Sequence, residues 1–393
     1  MIALMILIAL AFIGLGLNEP LLGSAWPSMY GHFGVDAAAA GTVLMITSVS
    51  TIIASYLSAR IISRFGTGMV LTACFLVMGT ALFGVSLSGH FVVLCLLAIP
   101  LGFSAGSIDA GSNGFLTTHY DAKYLNWIHC LWGIGATGGP ALMAFSLMRL
   151  GGWTTGYRIV GTLQLILAAI LLVSLPRWKK AITTQTGHTE TRIQEKIEVP
   201  GIAKLLRLQG APFAILLFFF LGGLEGSLGL WSNTYLVMSR GILRETATSW
   251  FALYYLALTL GRLFSGFLAI RRSSRQIATL GLCLIFVGLV TIALPFAWSL
   301  RPGLIITGLG AAPLFPNFIH LTPGIVGKGY TQAMVGLQIT AVFLGVMTLP
   351  PLFGLIGRQF GYGLFPLYVG VLLLVTAGIA VMLYRRHPDE ERQ

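Results

Sequence analysis

Two glutamates are the residues of this chain whose type and setting point most directly to chemistry. Leu15 to Trp26 reads LGLNEPLLGSAW, and 206 residues later Leu221 to Ser232 reads LGGLEGSLGLWS. Leu15/Leu221, Gly16/Gly222, Glu19/Glu225, Leu22/Leu228 and Gly23/Gly229 coincide. In each copy the glutamate is the one charged group in a long apolar run. A carboxyl at membrane depth is expensive, and its default reading is a proton relay or part of a solute pathway. Two of them in register across a repeat predict one symmetric cavity, with Glu19 and Glu225 facing each other at matching depths.

A third acid, Asp109, has a similar setting. At helical spacing Gly102, Gly106, Asp109 and Asn113 fall on one face, which admits close approach of another backbone or of a solute and offers it a carboxyl and an amide. Asn126, His129, Gly133, Ala136 and Pro140 make a comparable face on the next helix. Charged and amide groups there should point inward, because hydrocarbon cannot satisfy them. The competing reading differs by residue. Glu225 is open to pairing with a donor on the eighth or eleventh span instead. Asn113, Asn126 and Asn317 also suit interhelical glue. His129 sits near a helix end, where a hydrated structural histidine is common. No nucleophile–base pair, metal cluster or phosphate-binding loop accompanies these groups, so neither an enzyme, a metal site nor a cofactor is expected.

The elements that must hold these residues follow from composition. The chain has 393 residues, 56% of them hydrophobic and 9% charged, against about 25% charged in a soluble protein. Apolar windows long enough to span a bilayer, about 20 residues each, begin near positions 1, 38, 67, 91, 125, 154, 211, 247, 276, 302, 331 and 362. The fold class is therefore an all-α membrane protein of twelve transmembrane helices in two six-helix pseudo-symmetric bundles. The expected domains are an N-terminal bundle (1–177), a cytoplasmic linker (178–209) and a C-terminal bundle (210–393). Within the linker, IAKLLRL could lie along the membrane surface, though a solvated tether is the simpler reading.

Pro20 predicts a kink in the first span, and Pro313 with Pro316 predicts a broken tenth span that exposes carbonyls near Asn317. Arg262, about two turns from the cytoplasmic end of the eighth span, is expected to snorkel or to pair with neighbouring carbonyls, a structural role rather than a solute contact. The eleventh span contributes Gln332 and Gln338. The first span has no basic leader and runs straight into Asn18, Glu19 and Pro20, so it is not expected to be cleaved. The four cysteines lie in apolar spans at unrelated spacings, which suggests no disulfide framework.

The net charge of +12 does not signal nucleic acid, because of where it sits. With a cytoplasmic N-terminus, all six lysines and Arg60, Arg64, Arg271, Arg272, Arg275, Arg385 and Arg386 fall on the inner side. Only Arg149, Arg158, Arg240, Arg244, Arg301 and Arg358 fall outside. That is the positive-inside bias, and it predicts both termini in the cytoplasm.

Ser58 to Leu71, SARIISRFGTGMVL, resembles the loop motif G-x-x-x-D-R-x-G-R-R of the major facilitator superfamily, with Ser58 in place of the first glycine and no aspartate. GRLFSGFLAIRRSS (Gly261 to Ser274) is an imperfect echo of it. The chain further resembles the fucose/glucose–proton symporter branch of that superfamily. The carrying residues are Glu19, Asp109, Glu225 with Trp231, GRLFSG at Gly261, GLGAAPLFP at Gly308 and the segment beginning at Asn126.

The resemblance implies a secondary active transporter that moves a sugar with a proton by alternating access. It implies proton coupling at Glu19, Asp109 and Glu225. It also implies solute contacts from Asn18, Asn113, Asn126, His129, Trp132, Trp231, Asn317 and Gln338, although packing and interfaces account for such tryptophans more often. Partners would be the sugar, the proton or sodium, and the lipid bilayer. A monomer is expected, in the bacterial cytoplasmic membrane. Drug–proton efflux is the alternative, suggested by GATGGP (Gly135 to Pro140), as is sodium coupling. A sensor without flux is a third reading.

Overall fold

The computed structural model describes residues 2–119, 122–185, 205–327 and 330–386. Among them the chain is helical, with no strand, and twelve helices of 20 to 30 residues are long and apolar enough to cross a membrane. We label them in chain order. The first half contributes α1 (Ile2–Asn18, resumed as Leu21–Met29), α2 (Ala40–Phe65), α3 (Thr67–Leu87), α4 (Phe91–His119), α5 (Ala122–Arg149) and α6 (Trp153–Gln185). The second contributes α7 (Ala211–Met238), α8 (Arg244–Leu268), α9 (Ser274–Ala293), α10 (Ala297–Ala311, Leu314–His320 and Thr322–Val326), α11 (Thr331–Phe360) and α12 (Phe365–Arg386). Most of the linker, including the start of IAKLLRL, lies outside the described residues.

The helices gather into two compact units. One holds Met1–Leu21, Gly31–Val35 and Ile46–Glu198; the other holds Leu22–Tyr30, Asp36–Met45 and Val199–Gln393. In the first, α1 runs along α5, and α3 along α4 and α6. In the second, α7 runs along α11 and α12, α10 along α8 and α9.

Glycines set how closely these pairs approach. A side chain at Gly16 would collide with the Trp132 carbonyl, and one at Gly135 with the Ile13 carbonyl, so α1 and α5 cross backbone to backbone. The second unit repeats the device between α7 and α11, where Gly222 meets the Val342 carbonyl and Gly345 that of Phe219. Gly102 of α4 meets the Thr47 carbonyl of α2, and its counterpart Gly308 of α10 meets the Tyr254 carbonyl of α8. Gly16/Gly222 and Gly102/Gly308 each lie 206 positions apart, so the repeat read in the sequence governs the packing of both units. Small residues at such crossings let van der Waals contact replace the hydrophobic drive that lipid does not supply.

Both expected breaks are present. α1 is interrupted at Glu19–Pro20, and α10 at Ala312–Pro313 and again at Leu321. Proline supplies no backbone donor and its ring crowds the preceding turn. The α10 break does not leave its carbonyl free, however. Asn317 Nδ2 donates to the Pro313 carbonyl at 2.8 Å, so the residue expected to flank an exposed acceptor covers it instead.

One substitution type separates crossing glycines from the rest. Gly378 of α12 has nothing within 4 Å of where a Cβ would stand. Gly378→Ala should leave thermal stability in detergent unchanged or raise it by about 0.5–1 kcal/mol, the helical penalty of glycine. Gly102→Ala and Gly308→Ala should each lower it by about 1–3 kcal/mol through overpacking. A thermal shift series on the three variants checks this.

Candidate functional site

Among its described residues the first unit holds two carboxyls, each with a partner. Glu19 stands where α1 is interrupted, is exposed, and its Oε2 accepts a hydrogen bond from Trp132 Nε1 at 2.6 Å. The α1–α5 glycine crossing sets this contact, because Gly16 bears directly on the Trp132 carbonyl. At that length the bond is short for an N–H donor and an oxygen acceptor. Trp132 is thus an orienting donor for Glu19, and in this arrangement its indole N–H is engaged by the carboxyl. Asn18, half-buried, precedes the pair.

Asp109 on α4 accepts from Asn113 Nδ2 at 2.9 Å across one helical turn. The Gly102–Gly106 face below it is filled by α2. Gly106 meets the Thr51 carbonyl, and Thr51 Oγ1 donates to the Gly102 carbonyl at 3.0 Å. Of the two visitors that face could admit, the structure shows the backbone. Asp109 and Asn113 continue the line beyond the contact. Asn126 and His129 are carried by α5, but their side chains lie outside the described residues.

In the second unit Glu225 lies midway along the 28 residues of α7. Its Oε1 is enclosed and has no hydrogen-bond partner among the described residues. Arg262 of α8 acts electrostatically on Glu225 and on Tyr254. Arg262 lies six residues before Leu268, the last residue of α8, or about 9 Å at 1.5 Å per residue. This electrostatic link is separate from the snorkelling or carbonyl pairing expected of Arg262. Tyr255 brings its hydroxyl within 3.0 Å of where a side chain at Gly229 would begin, one turn beyond Glu225.

The remaining candidates are tied into the scaffold. Gln338 is fully buried, its Oε1 accepting from Thr322 Oγ1 at 3.0 Å, which joins α11 to the last segment of α10. Trp231 is fully buried, donates to the Pro350 carbonyl at 2.8 Å and packs on Phe353 and Tyr362. It therefore offers no ring face to a solute here. The side chain of Gln332 lies outside the described residues.

Several polar residues escaped the sequence reading. Gln164 of α6, fully buried, donates to the Gly14 carbonyl at 2.7 Å and pins α6 to α1. Asn233, directly after the second copy of the repeat, donates to the Ser24 carbonyl at 2.6 Å, the Gly23 carbonyl at 3.4 Å and Thr248 Oγ1 at 3.0 Å. Thr248 Oγ1 donates in turn to the Ser24 carbonyl at 3.2 Å. Just below, Gly23 presses on the carbonyl of its own repeat counterpart, Gly229. Amides isolated in apolar runs were the available signal for both. What they bond to was not readable, since the partners are main-chain carbonyls.

Apolar helices of membrane length, repeat-related crossings and carboxyls at midspan define a multi-pass membrane protein with an internally duplicated helical scaffold. The family model "Major Facilitator Superfamily" matches residues 4–299 and 243–393, and the chain belongs to that superfamily. Bypass of stop codon protein 6 of Saccharomyces cerevisiae is 22% identical over 92% of this chain and 78% of its own. A putative tartrate transporter of Agrobacterium vitis is 27% identical over 47% of this chain and 42% of its own. The crystal structure of a point mutant of the nucleoside transporter NupG superposes with a TM-score of 0.77 at 14% identity, covering 95% of this chain and 98% of that one.

The Asn233 contact is open to a direct check. Asn233→Ala leaves the Ser24 carbonyl with Thr248 as its side-chain donor, at a cost of about 1–3 kcal/mol for the buried groups. Labelling of a Ser24→Cys reporter by a hydrophilic maleimide should rise about fivefold or more with that loss, and Asn233→Asp should not restore the parental rate.

Proposed function

We propose that this superfamily member is a proton-coupled secondary transporter of a small hydroxylated solute, a sugar in the first instance. It would work by alternating access of the bundles 1–177 and 210–393, joined by the linker 178–209. Its setting would be the bacterial cytoplasmic membrane, as a monomer with both termini cytoplasmic. The observation that carries the reading is the pair Glu19 and Glu225, repeat-related carboxyls near the middle of membrane-crossing helices. One is held by an indole donor at 2.6 Å, and the other has an oxygen without a hydrogen-bond partner among the described residues. Groups of this kind at midspan serve proton relays more readily than packing.

Asp109 with Asn113 is proposed as a second proton-responsive element, close enough to trade a bond to the amide for one to a proton. The amides of Asn18, Asn113, Asn126, Asn317 and Gln338 and the ring of His129 remain the candidates for hydroxyl recognition. The motif resemblance to the fucose/glucose–proton branch supports sugars. A second reading, a solute carrying a carboxylate, is favoured by the charge of Arg262, which acts on Glu225. The likeness to a putative tartrate transporter is a further reason to include organic acids in any panel.

The test is solute-induced pH change in proteoliposomes, across sugars and sugar acids. Glu19→Gln and Asp109→Asn should each abolish accumulation against a gradient while leaving membrane insertion intact, and counterflow exchange should survive in at least one. Accumulation at the parental level by either variant removes that carboxyl from the coupling. Flux in sodium-free buffer that collapses with a protonophore fits protons. Flux that requires sodium and ignores an imposed pH gradient makes the acids ion ligands instead.

A further inference from the structure

Where α1 begins and α6 ends its membrane span, the first unit leaves a groove between the two helices. Two anchors on α6 explain it. Gln164 donates to the Gly14 carbonyl at 2.7 Å and holds α6 against α1. Trp178 holds the last turn of the span elsewhere. A side chain at Gly68 of α3 would strike its ring, which also packs on Phe115 of α4 with 5.0 Å between centroids. Its Nε1 donates to Ser174 Oγ at 3.1 Å. Pro176, between the anchors, brings no backbone donor to this turn, which eases the departure of α6 from α1. Beyond Gln164 a cavity of about 540 Å³ opens between them, lined by Leu7 of α1 and by Ile166, Ala169, Ile170, Val173 and Arg177 of α6.

Its walls specify what it would hold. Ile166, Ile170 and Val173 are exposed, Val173 at 82%, and such side chains on a membrane-crossing helix are as apolar as the acyl chains around them. Among the described residues of the wall Arg177, exposed at the last turn of the span Trp153–Trp178, carries the charge. It opens the basic run RWKK, and the next acid in the chain is Glu190. On the α1 side the first acid is Glu19, about 18 Å beyond Leu7 at 1.5 Å per residue. The second unit treats the same place differently. Phe213 is the repeat counterpart of Leu7, 206 positions on, and the guanidinium of Arg386 from α12 stands 4.2 Å from its ring centroid. There an arginine of the unit's sixth helix covers the first helix, whereas Arg177 stands beside an open groove.

We propose that this groove binds a phospholipid with an anionic headgroup. An acyl chain lies along Leu7, Ile170 and Val173, and the phosphate meets Arg177, whose paired N–H donors match phosphate oxygens. Basic pockets between transmembrane helices on the cytoplasmic side suit such headgroups. Ile166 to Arg177 covers about 16 Å of helix at 1.5 Å per residue, so the site takes chain and headgroup together, where a free phosphate would use the arginine alone. That the lipid comes from the inner leaflet rests on the cytoplasmic termini proposed above. Binding itself does not depend on which solute is carried. The occupant touches α1, the helix that carries Glu19.

Native mass spectrometry of the full chain, titrated with dioleoyl phosphatidylglycerol or dioleoyl phosphatidylcholine, tests this. The parent should retain phosphatidylglycerol about fivefold or more over phosphatidylcholine, the preference one basic residue confers at a membrane surface. Arg177→Gln should bring the two lipids within about twofold of each other, and Arg177→Lys should fall between. Ala169→Trp, which fills the groove and keeps the arginine, should lose the tightly held lipid of either kind. Thermal shift in detergent is the second measurement: phosphatidylglycerol should raise the midpoint of the parent and not that of Arg177→Gln. Arg64→Gln, which removes an exposed arginine at the end of α2, should keep the parental preference. A parent without preference, or a preference that survives Arg177→Gln, overturns the proposal. Equal loss in Arg64→Gln overturns it in favour of diffuse surface charge, and displacement by soluble glycerol phosphate in favour of a small-anion site. A dimer that Ala169→Trp separates makes the groove a contact between copies and overturns the lipid. All of these outcomes leave the transport reading standing, since solute-induced pH change tests that separately.

Discussion

The protein depends on backbone meeting backbone at glycine. Within lipid no hydrophobic gain drives one apolar helix onto another, so association needs close contact and satisfied polar groups. Gly16 and Gly135 let α1 and α5 touch, Gly222 and Gly345 do the same for α7 and α11, and Gly102 and Gly308 serve α4 and α10. The candidate carboxyls ride on these same helices. Glu19 follows Gly16 by three residues and Glu225 follows Gly222 by three. A shift at the crossing therefore moves the acid, and packing and chemistry share one register.

Broken helices supply the second constraint. At Glu19–Pro20 the ladder of α1 is interrupted at the residue that carries the charge, and the side chain turns to an indole donor on α5. At Pro313 the interruption is closed by Asn317, which returns its amide to the carbonyl four residues back. One break thus presents a polar group and the other conceals one. The difference lies in whether a side chain within reach can satisfy what the proline set free.

Buried amides act as fasteners of a different sort. Gln164 reaches the Gly14 carbonyl and Asn233 reaches those of Gly23 and Ser24, in each case at a part of α1 rich in glycine. Main-chain carbonyls are open to such donors where no neighbouring side chain shields them. The repeat thus supplies the acids, and the fasteners around them belong to one half or the other. Arg262 breaks the symmetry more sharply, since its repeat counterpart is an exposed tyrosine.

Sequence by itself determined the membrane class, the twelve apolar spans, the interruptions at Pro20 and Pro313 and the repeat with its acids. Each of these is a local property: hydrophobic length, a missing donor, or a charge in an apolar run. Side-chain partners were not legible. Nothing in the spacing said that Glu19 would meet Trp132, that Gly102 and Gly106 would admit α2 and not a solute, or that Trp231 would be sealed against Phe353. Those outcomes turn on the rotation and crossing point of helices far apart in the chain, which tertiary packing alone decides. Arg262 shows the difference most plainly. Its sequence position offered snorkelling or carbonyl pairing, and Glu225 was open to a donor from either α8 or α11. That the charge of Arg262 on α8 is the one that acts on Glu225 was decided by tertiary packing, because residues 37 positions apart meet only through how α7 and α8 pack.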